Sequence, residues 1–252
     1  MAQLAAMLDY LEELLQPRVF DDYGPNGLQV PGPENVQAVA TGVSAHRELF
    51  ELGAEAGADL IVCHHGILWD AQPREISPVL KSRLEMLFRA DMALAAYHLP
   101  LDAHPEVGNN ALICRALGLE RREPFGRHRG RDIGFVGRAP QPLSLEELLA
   151  RCREVFGQDP FVWDFGPSTV GAVGVLSGGG ASSLGEAAAL GLDAFLTGEP
   201  AEPAMAEARE GGVHFIAAGH YATETFGVRR LGELLAERFG VEQRFIAVPN
   251  PI

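Results

Sequence analysis

Lysine is nearly missing from this chain: Lys81 is the single example among 20 basic residues, which face 34 acidic ones. The formal charge of −14 excludes a sheath of lysine and arginine able to hold a polyanion by counterion release, so nucleic acid is not an expected partner. Cysteine is scarce as well. Cys63, Cys114 and Cys152 stand far apart with no short paired spacing, which excludes a disulfide framework and a thiolate zinc knuckle and predicts a reducing compartment, the cytoplasm. Long unbroken apolar runs are absent too: the longest uncharged stretch, Phe165 to Gly185, is interrupted by glycine and serine and is too polar to insert in a bilayer. The opening MAQLAAMLDYLEELL has no basic leader and carries Asp9, Glu12 and Glu13, so it reads as an amphipathic helix and not as a signal or anchor.

What is present suits a globular protein, because 47% hydrophobic against 21% charged residues can bury a substantial core. Strand-like apolar runs alternate with helical patterns almost throughout, the pattern of an α/β protein. The first half predicts strands over 36–43, 60–63 and 92–97 with helices over 47–56 and 78–89 between them, crossovers that make these strands parallel neighbours. An arginine-dense segment, Glu120 to Arg131, has turn residues and no clean period and reads as a linker or surface excursion. Two α/β domains with mixed, mostly parallel sheets are therefore expected, over 1–122 and 123–252, with a return of the chain to the first near its end left open.

Three places concentrate groups that could carry chemistry. Cys63-His64-His65-Gly66 follows the apolar run DLIVC, so two histidines sit at the carboxyl end of a buried strand, the edge where open α/β sheets bind ligands. Consecutive strand residues point to opposite faces; at a strand-to-loop corner the two rings could each serve one of two nearby ions, or simply pack and cap. His98, Asp102 and His104 follow a second apolar strand, where Pro100 is read as forbidding a helix, and Asp102 is either a ligand or the cap of a helix beginning near Gly108. His220 and Glu224, four apart after the strand HFIAA, share one face of a helical turn and suit a divalent cation, or Glu224 merely opens the helix. Three such clusters at three strand ends favour metal binding, and donors without thiolate select zinc, iron, manganese or cobalt. Cys63 is expected to face the core.

Softer candidates are Glu199, which ends a buried strand in a supporting role, and Ser177-Gly178-Gly179-Gly180, either an anion cradle or a tight turn. Asp21 and Asp22 precede a Pro-Asn-Gly turn and could reach a ligand; His46 and His214 look structural.

DYGPNGLQVPG, VCHHGILW, HLPLDAHPEVGNN, SGGGAS, DAFLTGE and GHYATE, in this order from residue 21 to 224, resemble the GTP cyclohydrolase 1 type 2 homologues, also called NIF-three-like proteins. The resemblance implies a two-domain α/β protomer with a dinuclear metal centre in the cleft between the domains, assembled as a toroidal homohexamer, a trimer of dimers. Its implied ligands are His64, His65, Asp102, His220 and a bridging Glu224, with His98 close to the metals and His98 or Glu199 available for proton transfer. The interval from Gly118 to Arg138 is too short for the extra domain some relatives carry there. The implied activity is ring-opening hydrolysis of a purine nucleotide, at the imidazole carbon of guanine if the substrate is GTP. Rival expectations are a phosphoester hydrolase using the same two ions, and a metal carrier or regulatory scaffold without turnover.

Overall fold

Three apolar runs of the first half, Ala38–Ser44, Leu60–His65 and Ala93–Ala96, lie side by side and parallel in the computed structural model, which describes residues 1–252. Glu242–Phe245 adds a parallel strand at one edge and Gly27–Val30 an antiparallel one at the other, giving a five-stranded sheet. This sheet belongs to the first of two compact units, Met1–Leu101 together with Gly227–Pro249. Leu49 and Phe50 of helix Arg47–Glu55 and Leu87 of helix Pro78–Ala90 close one core with Ile61, Cys63 and Leu94. Helix Thr225–Phe239 packs on strand Ala38–Ser44 so closely that a Cβ at Gly232 would stand 3.0 Å from Thr41.

The second unit, Asp102–Phe226 with Asn250–Ile252, holds a six-stranded sheet. Its centre is parallel, with Val170–Val175, Ala194–Thr197 and His214–Ala217 in register, and its outer strands are antiparallel. Helices Asn109–Ala116 and Leu145–Phe156 bury Ile113, Cys114, Leu148 and Cys152 against Val173, Val175 and Leu196. Ser144 and Glu147 form a complete capping box at the start of helix Leu145–Phe156. Ser144→Ala removes the acceptor for the Glu147 amide, so thermal denaturation followed by circular dichroism should show a loss of about 1 kcal/mol.

Three local expectations change. The arginine-rich segment is a strand, Glu120–His128, paired along Arg131–Leu143, and the units divide earlier, at Leu101/Asp102, because helix Asn109–Ala116 packs on the second sheet. Pro100 does not exclude a helix: Leu99–Ala103 is a short one, and Pro100 occupies its first turn, where the missing amide has no helical partner to lose. All three cysteines are free and buried, and no helix is long and apolar enough to cross a membrane.

Candidate metal centre

In the first unit the donors gather at the carboxyl ends of adjacent parallel strands. Strand Leu60–His65 runs through both histidines, and at its end their rings come together, with centroids 4.7 Å apart instead of facing opposite ways. One ring nitrogen each from His64, His65 and His98 lies within 4.8 Å of the others. His64 is fully buried and its Nδ1 stands 3.0 Å from the Tyr97 carbonyl, which can only accept; the proton is thereby assigned to Nδ1 and the lone pair to Nε2. His65 Nδ1 meets Ser44 Oγ at 3.0 Å. Metal-binding imidazoles are held in this manner through the nitrogen that does not ligate.

Gly66 follows them directly. A Cβ on Gly66 would press into the Gln29 side chain, whose Oε1 accepts the Ile67 amide and so holds the turn after the histidines. Burial pushes the Cys63 thiol up, and Sγ donates to the carbonyl oxygens of His65 and Ala95, so Cys63 is a core residue.

Asp22, only 9% exposed, accepts from the backbone amides of Tyr23 and Leu99, from Asn26 Nδ2 and from His98 Nδ1. Burial raises its pKa, but the hydrogen bonds from His98, Asn26 and Tyr23 and the His98 charge outweigh burial and hold the carboxyl at about 2. Asn26 Oδ1 accepts the His98 amide at 2.7 Å. From sequence, Asp22 and Asn26 show only as turn formers, because their partner lies more than seventy positions along the chain.

In the second unit His220 opens the short helix His220–Thr223, and Glu224 caps its end. His220 Nε2 stands 3.2 Å from Glu224 Oε1, and its Nδ1 stands 3.2 Å from Glu199 Oε2. The Glu224 hydrogen bond chiefly, opposed by burial and assisted by Glu199, raises the His220 pKa to about 9. Two carboxylates on opposite ring nitrogens thus draw positive charge to this spot, the condition a divalent cation also satisfies.

Asp102 is buried, and its Oδ1 accepts from Asn109 Nδ2 and Ser177 Oγ, both at 2.9 Å. It does not cap helix Asn109–Ala116, whose N-cap is Gly108. Asn110 completes the lattice by accepting the Ser177 amide and donating to the Asp102 and Ile133 carbonyls. The glycine turn is no open anion cradle, since the amides of Ser177, Gly178 and Gly180 donate to Asn110, Thr223 and Thr197. Its bareness serves close approach: a Cβ at Gly178 would press into Glu224 Oε1.

The histidines read as structural are so placed. His46 caps helix Arg47–Glu55, and buried His214 sits with Nε2 on the Pro167 carbonyl and Nδ1 beside Asp164. The donors are imidazoles and carboxylates at strand ends, several braced by a second partner, and they fit a divalent ion of the zinc, iron or manganese kind.

The family model described as Duf34/NIF3 (NGG1p interacting factor 3) matches residues 2–251. A Pseudomonas aeruginosa protein named GTP cyclohydrolase 1 type 2 homolog is 38% identical over 248 residues, 98% of each chain. The Escherichia coli (strain K12) protein of the same name is 40% identical over 243 residues, 96% of each. The crystal structure of TTHA1606 from Thermus thermophilus superposes with a TM-score of 0.90 at 36% identity, covering 100% of both chains.

Proposed function

The chain belongs to the Duf34/NIF3 family, and from that premise we propose that it is a dinuclear-metal-dependent hydrolase of purine nucleotides, with His64, His65, Asp102, His220 and Glu224 as metal ligands. The observation that carries this reading is the bracing of donors by second partners: the Tyr97 carbonyl behind His64, Ser44 behind His65, Asn109 and Ser177 behind Asp102, and Glu199 behind His220. The names of its relatives support the nucleotide substrate.

When bound, two divalent ions would supply Lewis acidity and an acidified water. The remaining work falls to the chain. Glu199 Oε2, on the Nδ1 side of His220, fixes that ring and can take up a proton there. His98 offers Nε2 for transfer while its Nδ1 rests on Asp22. The proposal places the protein in the cytoplasm, in keeping with free cysteines, and as a homohexamer.

The test is to load purified protein with zinc, iron or manganese in turn and incubate it with GTP. Formate release is the expected result. Release of inorganic phosphate or GMP would move the assignment to a phosphoester hydrolase, and retained metal with no product from any nucleotide would make the chain a carrier.

A further inference from the structure

His98 is tied down more thoroughly than its position after a strand requires. Its amide donates to Asn26 Oδ1 at 2.7 Å, and the next amide, of Leu99, donates to Asp22 Oδ2 at 3.0 Å. Those two bonds already anchor the backbone. A third bond, 2.7 Å from His98 Nδ1 to Asp22 Oδ1, adds nothing to the backbone path and acts on the ring alone.

We propose that Asp22 is the positioning residue of His98, holding it as the Nδ1–H tautomer so that Nε2 keeps its lone pair toward the His64 and His65 rings. The inference rests on the reading that His64 and His65 bind metal, and deepens it. An ionised carboxylate accepts only, so a ring nitrogen facing Asp22 must carry a hydrogen. Asp22 cannot turn away, because the Tyr23 amide at 2.7 Å and Asn26 Nδ2 at 2.8 Å hold both its oxygens. Nor can the imidazole turn freely: Trp69 stands edge-on to it at 5.3 Å and 88°, with Tyr23 at 6.0 Å. The His64 and His65 ring centroids lie 5.0 and 5.5 Å from that of His98. The His98 side chain keeps 19% exposure, enough for a small molecule to reach it.

Asp22→Asn discriminates this role from simple loop anchoring. The introduced amide must direct its NH2 at one of the former donors; the His98 imidazole can become an acceptor by moving its own proton, whereas Asn26 could do so only by turning its amide and giving up the bond from the His98 amide. Protein labelled with 15N-histidine, with signals assigned through His98→Gln, is examined in long-range proton–nitrogen spectra at mildly alkaline pH. The expected wild-type result is a protonated Nδ1 and an unprotonated Nε2 on His98, and in Asp22→Asn a switch toward the Nε2–H form. A wild-type His98 protonated on Nε2 overturns the proposal without any variant, and so does a folded Asp22→Asn protein that keeps the wild-type pattern. A parallel zinc titration of wild type separates the two readings: no zinc retained rejects the metal centre, whereas zinc retained with the wrong tautomer rejects the role of Asp22 alone.

Discussion

Glu224→Gln protein, loaded with zinc and dialysed, is expected to come out empty at both ions, with affinity lowered roughly 100-fold or more. Loss of an outer-shell partner alone costs about 10- to 100-fold, and this change removes a charged donor oxygen. The substitution keeps the shape of the side chain and takes away its negative charge. Glu224 is 3% exposed, so little water is present to make up for the missing charge. Metal analysis of the dialysed protein reads the outcome directly, and circular dichroism confirms that the variant is folded. If Glu224 does not bridge, one ion remains, and a count of one per chain rejects that role.

Gly178→Ala should do severe structural damage beside Glu224. Gly178 has φ +63°, where a side chain strains the backbone by roughly 1–3 kcal/mol, and the added Cβ would drive into Glu224 Oε1. The loop cannot move aside easily: the Gly178 amide donates to Thr223 Oγ1, and its carbonyl accepts from the Gly198 amide and Thr197 Oγ1. With about 1–3 kcal/mol more for overpacking, the total is around 4 kcal/mol, or roughly 10 °C in Tm. Gly185→Ala in helix Leu184–Ala189 is the control, since its Cβ meets nothing within 4 Å and alanine favours a helix. Thermal melts of both variants without metal should place Gly178→Ala far below wild type and Gly185→Ala level with it.

The elements legible in sequence were those with a one-dimensional signature. Ala194–Thr197 and His214–Ala217 are central strands buried on both faces, so each is a short apolar run between turn residues; helix Leu145–Phe156 announces itself through Ser144 and Glu147. Glu120–His128 gave no such signal. It is the edge strand of its sheet and exposed from Glu120 to Pro124, and charged residues suit that position, so no apolar alternation is written into it. The candidate donors stand out in sequence for a different reason: imidazole and carboxylate side chains cluster directly after three apolar strands. What sequence could not reveal was the bracing. Asp22, Asn26, Asn109 and Asn110 act through hydrogen bonds to residues brought near by the fold, and polar residues in turns look alike until their partners are known.

The split make-up of the first unit also constrains the order of events at the ribosome. The edge strand Glu242–Phe245 and most of helix Thr225–Phe239 are made more than a hundred residues after the other strands of the sheet that they complete. Until they emerge, strand Ala38–Ser44 has an unpaired flank open to mispairing with another chain. The stretch Asp102–Phe226 is by contrast nearly contiguous and can close while synthesis continues. Nascent chains therefore pass through a period with most of the later-made body in hand and the earlier-made one waiting, the interval in which a chaperone or a stalled ribosome would matter most.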